Sequence, residues 1–357
     1  MIEQFESVLE FDSNMWDRLA YGADIALSHG WVKTSEATGD AETVYLTTEA
    51  GGRITAILPG TIATIDSPWL LTRTDSVLAQ CAKEGDDDAK RISESLPPSA
   101  TGGLLPGLVM GGRHAGRTGV IREASLSPSD LECLVSTAED LARERELKSL
   151  AFLYVDARDT MLIDCLDERG YERWGSGSDS DLSLPGAGFE TYLSQFPSRR
   201  RSKIRNDRKM VANSGLRVRV ADLTDGTLRR AAELENMLFG KYGIENWSAE
   251  RSFRGLEGAR DNLNEPFMVI AETPSGEMIG FSLVAEFHDE WYAVRAGFDY
   301  DKQAGVPIYY EVVYYRLIEL AGERGIKKIH YGMGSVEAKA LRGCISTEQY
   351  GFLKVVE

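Results

Sequence analysis

The densest group of residues able to bind an anion is the basic stretch SRRRSKIRNDRK, within residues 197–215. Seven of the eleven residues from 199 to 209 are Lys or Arg, and only Asp207 is acidic. On a helix, Arg201, Arg205 and Arg208 share one face. Two interpretations stay open: a solvated amphipathic helix, or a surface for phosphates or an anionic small molecule. The phosphate-binding candidates are Arg199, Arg200, Arg201, Lys203, Arg205, Arg208 and Lys209.

Repulsion between like charges favours the binding interpretation. Arg205 lies four positions from both Arg201 and Lys209, and each such pair destabilises a helix by about 0.2–0.5 kcal/mol. The chain as a whole has a formal net charge of −16, so the basic stretch runs against its overall composition. We therefore expect these charges to meet an anionic partner.

A second group of candidates could line a pocket for a small substrate. The segment IYYEVVYY, residues 308–315, places four tyrosines at helical spacing. This pattern is typical of core packing, although one tyrosine could face a pocket. A tryptophan in YGIENWS and an arginine in WYAVRAG are further candidates. The predicted acceptor-binding residues are Trp247, Arg295, Tyr309 and Tyr310.

The cysteines and histidines show no metal-ligand spacing. There are four of each, without a CxxC pair, an HExxH motif or a His/Cys cluster, so we expect no metal site and a reducing compartment. The sequence has no run of 18 apolar residues and lacks a signal peptide's basic-then-apolar start. These features predict a cytoplasmic protein without stable membrane association.

Charge and composition divide the chain in two. Residues 186–357 contain 24 basic and 24 acidic residues, and the whole-chain totals of 40 and 56 leave 16 and 32 for residues 1–185. The Gly/Ser/Asp-rich stretch at 175–188 indicates a segment that connects two domains. We therefore predict an acidic domain at 1–185, containing a mobile excursion at 83–107, and a second domain at 186–357.

Both halves show a similar order of elements. The first has a hairpin around Gly51–Gly52, a helix, a buried strand and another helix. The second predicts helices near 187–196, 198–214, 224–241 and 248–263, then a three-stranded meander, a long helix, a strand, a short helix near 335–342 and a last strand. The predicted fold class is α/β (α+β), with two mixed, mostly antiparallel sheets flanked by helices.

The second-half order, with the motifs SRRRSKIRNDRK, GEMIGFSLVAEFHDEWYAVRAGFD and YGMGSVEAKALRG, resembles the GNAT acyltransferase fold. The whole chain resembles the FemABX-like peptidyltransferases, which carry two GNAT-type domains in tandem. In that family a Gly-containing turn and a short helix bearing a Lys close the site. The resemblance implies that Lys339 stabilises the charge developing on the reacting carbonyl. Arg342, three positions further along, is a candidate for holding a phosphate or carboxylate of the donor or acceptor. Two interpretations stay open for Glu337: the group that takes the amine proton, or a surface carboxylate. The alternative for Lys339 is an exposed surface lysine.

One departure concerns the donor. Acetyl-CoA-dependent enzymes of this fold carry an Arg/Gln-x-x-Gly-x-Gly/Ala loop whose N–H groups hold pyrophosphate. The sequence here is DKQAGVPIYYE, in which Gln303 and Gly305 remain but Pro307 supplies no N–H and the second glycine is absent. This predicts a donor other than acyl-CoA.

The leading hypothesis is an aminoacyltransferase that needs no cofactor. It moves an aminoacyl group from aminoacyl-tRNA to the amine or hydroxyl of a small acceptor, which could be anionic, and forms an amide or ester. Two alternatives remain: an N-acyltransferase that uses acyl-CoA, and a non-catalytic protein that binds RNA or a protein partner through the basic helix.

Overall fold

The computed structural model describes residues 2–39, 41–112, 117–186, 188–241, 247–303 and 305–356. Contacts along the backbone divide the chain into a first unit, Met1–Asp179 with Ser346–Glu357, and a second unit, Ser180–Ile345. The predicted second domain, 186–357, therefore wrongly includes the last strand. No helix in the described ranges combines the length and apolarity needed to cross a bilayer.

The first unit alternates short helices with strands. Its elements are β1 (Ile2–Phe5), α1 (Ser13–Leu19), α2 (His29–Ala37), β2 (Glu42–Ala50), β3 (Arg53–Ala63), α3 (Thr74–Glu84), α4 (Asp87–Ser95), β4 (Gly107–Met110), β5 (Ile121–Arg122), α5 (Pro128–Glu144), β6 (Ser149–Asp156), α6 (Thr160–Glu168) and β7 (Glu172–Ser183). The end of β7 passes into the second unit. The predicted β2–β3 hairpin is present, and Gly51 and Gly52 form its turn with φ of 61° and 74°.

The predicted excursion at 83–107 contains a helix. Asp86 begins α4 by accepting a hydrogen bond from the Ala89 N–H, and Ala89 and Ile92 are buried. Two apolar residues three positions apart on a charged helix are enough to hold it against the unit. Because most residues of this segment are charged or polar, the sequence analysis did not predict this helix.

The second unit follows the predicted order. Its elements are α7 (Phe189–Ser194), α8 (Ser198–Asn213), β8 (Arg217–Ala221), α9 (Asp225–Lys241), α10 (Ala249–Asn262), β9 (Asn264–Glu272), β10 (Met278–Phe287), β11 (Glu290–Phe298), α11 (Ile308–Tyr310), a π-helical turn (Glu311–Tyr315), α12 (Arg316–Arg324), β12 (Lys328–Met333) and α13 (Val336–Ala340). The last strand, β13 (Ile345–Val355), belongs to the first unit except for its first residue. Short 3₁₀ turns occur at Val8–Glu10, Ile25–Leu27, Leu70–Thr72 and Asp301–Gln303.

Each unit has a sheet with a buried core against its helices. In the first, the strand order is β1-β2-β3-β4-β6-β13, because β13 pairs antiparallel with β6. In the second, the order is β12-β11-β10-β9-β8. The pairs β8–β9, β9–β10 and β10–β11 are antiparallel, whereas the pair β11–β12 is parallel. The predicted fold class, α/β (α+β) with mixed, mostly antiparallel sheets, is confirmed.

Candidate active site

The candidate site lies where two parallel strands of the second unit separate. Strands β11 and β12 pair only at Trp291↔Ile329 and Tyr292↔His330, although both continue beyond these pairs. A cavity of about 150 Å³ lies beside the unpaired part. Its lining residues are Ser282, Ala293, Val294, Arg295, Ala296, Tyr309, Val313, Tyr314, Tyr331, Met333, Ser335 and Lys339.

A β-bulge in β11 shapes one wall of the cavity. Leu283 of β10 pairs with Arg295 and Val284 pairs with Ala293, so Val294 is an extra residue without a partner. A bulge interrupts the alternation of side chains along a strand and bends it. As a result, four consecutive residues, 293–296, all line the cavity.

A π-helical turn shapes the opposite wall. It interrupts the predicted long helix between α11 and α12, and its residues Val313 and Tyr314 line the cavity together with Tyr309 of α11. Single π-turns inside helices are frequent at functional sites because they re-aim side chains. Burial raises the pKa of Glu311, the first residue of the turn, although Arg208 opposes this by donating hydrogen bonds to its carboxylate.

Lys339 is buried at the cavity, contrary to the alternative of an exposed surface lysine. Its exposed fraction is 3%, and its Nζ donates to the carbonyl oxygens of Gly332 (2.6 Å) and Met333 (2.7 Å). The turn before α13 has left-handed φ angles at Gly332 (67°), Gly334 (74°) and Ser335 (50°). The glycines adopt such angles without cost, and they bring these carbonyl groups to the ammonium.

The cavity wall contains buried hydroxyl groups without a hydrogen-bond partner in the described chain, among them those of Ser282 and Tyr331. Burial raises the pKa of Tyr331 well above its usual value, so this phenol stays protonated at neutral pH. Buried polar groups in proteins are nearly always paired, which suits these two hydroxyls to binding a ligand. The sequence analysis missed both; the only available signal was a serine inside an apolar strand.

Arg295, a predicted acceptor residue, is among the lining residues, and its guanidinium packs against α9 and α10. Its Nη1 donates to Glu235 Oε2 at 2.9 Å, and a Cβ at Gly255 would overlap its guanidinium. Trp247 is not among the lining residues, but its Nε1 donates to Ser252 Oγ (2.9 Å), and Ser252 in turn hydrogen bonds to Glu235. The two predicted acceptor residues are therefore connected, although only one reaches the cavity.

The basic stretch forms helix α8, and most of its charges bind within the second unit. Five of the seven basic side chains have partners in the described residues: Arg200 with the carbonyl oxygen of Leu341, Arg201 with that of Phe196 (2.7 Å), Lys203 with Asp207 (2.9 Å), Arg205 with Glu190 (2.7 Å), and Arg208 with Glu311 (3.0 Å). Arg199 and Lys209 are exposed and make no ion pair with that part of the chain.

Arg342, another predicted phosphate-binding residue, lies in the interior. It is 6% exposed, its guanidinium carbon lies 3.4 Å from the centroid of the Tyr310 ring, and its Nη2 lies 3.9 Å from Asp207 Oδ2. Arg342 and Tyr310 thus stack on each other outside the cavity. Glu337, the predicted proton acceptor, is exposed and is not among the cavity-lining residues of the described chain.

The turn before α11 offers few N–H groups to a pyrophosphate. Pro307 has none, and the N–H groups of Ile308 and Tyr310 donate to the carbonyl oxygens of Val306 (2.8 Å) and Pro307 (3.2 Å). Backbone donors used within the turn are not available to a phosphate. Ala304, within the DKQAGVP segment that replaces the pyrophosphate-binding loop, lies outside the described residues.

Structural comparison supports the predicted tandem GNAT architecture. The FemX crystal structure is similar, with a TM-score of 0.64, 11% identity and coverage of 99% of this chain and 97% of FemX. L-PGS from Bacillus licheniformis has a TM-score of 0.57 and 10% identity, covering 96% of this chain and 91% of L-PGS. A tandem GNAT protein from the clavulanic acid biosynthesis pathway has a TM-score of 0.54 and 11% identity, covering 100% of this chain and 99% of its own.

Sequence comparison identifies the family. No curated protein sequence matches the chain. The FemAB-like family model, described as peptidoglycan biosynthesis/recognition, matches residues 114–357, which is more than half of the chain. Family and fold together indicate a transferase of the FemABX and GNAT type. The chain belongs to the FemAB-like family.

Proposed function

We propose that the chain transfers an aminoacyl group from aminoacyl-tRNA to the amine or hydroxyl of a small acceptor. The observation that carries this proposal is the buried ammonium of Lys339, which lines the cavity between the separated strands of a FemAB-like transferase. A fixed positive charge in a site partly shielded from water stabilises an oxyanion far better than one in bulk water.

The proposed reaction is direct attack on an activated ester. The acceptor nitrogen forms a bond to the ester carbonyl carbon, and negative charge collects on the carbonyl oxygen near Lys339. The bond between that carbon and the ribose oxygen of tRNA then breaks, and the proton lost by the amine goes to this oxygen. The products are an amide and uncharged tRNA; a hydroxyl acceptor gives an ester by the same steps.

The cavity lining supports proton transfer between the substrates. No carboxylate or imidazole lines the cavity within the described part of the chain, and burial raises the pKa values of Tyr314 and Tyr331. These phenols therefore remain donors at neutral pH. In this proposal the chain positions the reactants and stabilises charge, which are large contributions when the ester is already activated.

Two features favour a tRNA donor over acyl-CoA. Arg199 and Lys209 leave α8 with exposed positive charge, as contacts to a phosphate backbone require. In the turn before α11, the N–H groups of Val306, Ile308 and Tyr310 donate to carbonyl oxygens of the same segment. A peptidoglycan precursor is one acceptor compatible with the family description, and a free amino acid is another.

The test is a ligation assay. The chain is incubated with charged tRNA pools and a mixture of amines and hydroxy compounds, and new amides or esters are identified by mass spectrometry. Uncharged tRNA and the Lys339→Ala variant are the controls. Ligation that requires charged tRNA is expected. Acyl transfer from acyl-CoA alone would instead establish the acyltransferase alternative, and RNA binding without any turnover would point to the non-catalytic one.

A further inference from the structure

The helix that carries Lys339 is too short to fix its own position. Helix α13 has five residues, whereas isolated helices shorter than about 12 residues are marginal in water. The last carbonyl groups of any helix also lack partners within it. At the other end, Ser335 has a left-handed φ of 50°, and its side chain forms no capping hydrogen bond. The position of Lys339 therefore depends on groups outside α13.

Two helices of the same unit bind the turn that follows α13. The hydroxyl of Tyr192 on α7 donates to the carbonyl oxygen of Arg342 at 3.0 Å. The guanidinium of Arg200 on α8 donates to the carbonyl oxygen of Leu341. Side chains of α7 and α8 thus bind two consecutive peptide groups of this turn.

The same turn closes on the lysine. The N–H groups of Arg342 (2.8 Å) and Cys344 (3.1 Å) both donate to the carbonyl oxygen of Lys339. At the far end of the side chain, Nζ donates to the carbonyl oxygens of Gly332 and Met333 in the turn before α13. The main chain of Lys339 is therefore held by one turn and its ammonium by the other, so a shift of the following turn moves the ammonium relative to the cavity.

Tyr192 is well placed to hold that turn. Its side chain is 1% exposed, and its ring centroid lies 5.4 Å from that of Phe189 and 5.1 Å from that of Phe196. A Cβ at Gly343 would lie 2.9 Å from the Phe196 ring, so the turn packs closely against the aromatic residues around Tyr192. Burial raises the pKa of Tyr192, and the phenol therefore remains a donor at neutral pH.

We propose that Tyr192 and Arg200 are positioning residues for Lys339. Their hydrogen bonds fix the turn after α13, and this turn holds the lysine whose ammonium lines the cavity. A displacement of about 1 Å in an active site can lower a rate by about a hundredfold. The expected effect on rate rests on the proposed function, whereas the effect on the ammonium itself does not.

Chemical labelling of Lys339 tests the proposal without turnover. Tyr192→Phe removes the hydroxyl and keeps the ring. Acetylation of Lys339 by acetic anhydride is followed by mass spectrometry, with exposed Lys209 as the internal reference. We expect Lys339 to react about five- to tenfold faster in the variant, the change in local opening expected when one hydrogen bond is lost.

Tyr154→Phe is the matched control. The Tyr154 hydroxyl is similarly buried and also donates to a carbonyl oxygen, that of Leu71 at 2.7 Å, but it belongs to the first unit. Its loss should leave the labelling of Lys339 unchanged. An equal increase in Tyr154→Phe would contradict the proposal, because general destabilisation would then account for the effect.

Arg200→Gln is the second test, and it remains informative if Tyr192→Phe fails to fold. Arg200 is half-buried, and its replacement removes only the hydrogen bond to Leu341 from the turn. It should also speed the labelling of Lys339. An unchanged labelling rate in either folded variant would overturn the role of the residue replaced in it.

Steady-state kinetics separate positioning from substrate binding. Tyr192→Phe should lower kcat for ligation by about tenfold or more and change the KM for charged tRNA by less than about twofold, whereas Tyr154→Phe should keep both. A raised KM with unchanged kcat would assign Tyr192 to substrate binding instead. Faster labelling without any ligation by the wild-type protein would support the positioning role and count against aminoacyl transfer. Ligation with wild-type kcat and wild-type labelling in Tyr192→Phe would support aminoacyl transfer and count against the positioning role.

Discussion

At the residue scale, the site depends on one buried lysine that a backbone turn holds in place. The ammonium of Lys339 donates to two carbonyl oxygens of the preceding turn, and the left-handed angles at Gly332 and Gly334 produce this geometry. Neutral carbonyl groups orient the ammonium within the cavity wall. A positive charge oriented in this way can stabilise a developing oxyanion.

Lys339→Ala should lower the rate of ligation by about a hundredfold, because it removes a donor positioned for the oxyanion. Single-turnover kinetics with charged tRNA measure this, and the thermal midpoint reports any loss of folding. Glu337→Gln is the control within the same short helix. Since Glu337 is exposed and outside the cavity lining, its variant should keep the wild-type rate. A large loss in Glu337→Gln would restore the predicted role of that carboxylate in accepting the proton.

Arg342→Gln should lower the free energy of unfolding by less than the about 3–5 kcal/mol that breaking a fully buried ion pair costs, because Lys203 still pairs with Asp207. The substitution leaves Asp207 buried and removes the stacking on Tyr310. Urea unfolding gives the free energy, with exposed Arg199→Gln as the control at near-zero cost. A fully stable Arg342→Gln with weakened tRNA binding would instead support its predicted phosphate contact.

At the element scale, helix α8 has two roles, supporting the cavity wall and carrying surface charge, although its sequence indicates only a basic surface. Arg208 holds the π-helical turn through Glu311 and also pairs with Glu319, while its guanidinium stacks on Phe189. Arg199 and Lys209 point to no such partner within the described chain. The helix therefore contributes both to the shape of the cavity wall and to the charge of the surface.

Arg208→Gln should lower the free energy of unfolding, because it leaves the buried carboxylate of Glu311 without its cation. Arg208 is half-buried, so the loss should be smaller than the about 3–5 kcal/mol of a fully buried pair. Arg205→Gln is the matched control, since the pair of Arg205 with Glu190 is exposed and contributes at most about 1 kcal/mol. Equal midpoints of denaturation for both variants would show that Arg208 does not support the turn.

Replacing Arg199 and Lys209 together with Gln should flatten the salt dependence of tRNA binding while leaving stability unchanged. Each phosphate contact contributes about 0.7–0.9 log units of affinity per log unit of salt. Filter binding at several salt concentrations gives the slope, and Arg217→Gln on β8 is a control that removes charge elsewhere in the second unit. An unchanged slope in the double variant would show that Arg199 and Lys209 contact solvent and not tRNA phosphates.

At the scale of the whole molecule, the chain divides into two units and returns to the first at its end. Strand β13 pairs with β6, and Phe352 lies opposite Phe152 with an exposed fraction of 0%. The last residues therefore complete the first core although they follow the second unit in sequence.

Phe352→Ala should destabilise the first unit by about 3–5 kcal/mol, the usual cost of emptying a buried aromatic site. Hydrogen exchange should rise at the amides of β6, since its neighbouring strand loses packing. Val355→Ala on the same strand is the control, because Val355 is half exposed. Faster exchange confined to the second unit would contradict the assignment of β13 to the first.

The sequence by itself determined the order of elements in the second unit and the hairpin turn at Gly51–Gly52, because periodicity and glycine preferences are local properties. The place of the lysine turn came from the resemblance to the FemABX-like peptidyltransferases. It predicted Lys339, Arg295 and Tyr309 as site residues, and the structure brings these three to one cavity. Only the tertiary structure decided which charges face a ligand. Asp207, Glu311 and Glu319 lie far along the chain from several of the arginines they bind, so no local pattern could reveal that Arg208 and Arg342 are already paired. The unpartnered hydroxyl of Ser282 and the support of Arg295 by Glu235 and Gly255 likewise arise from contacts between distant elements, which folding alone creates.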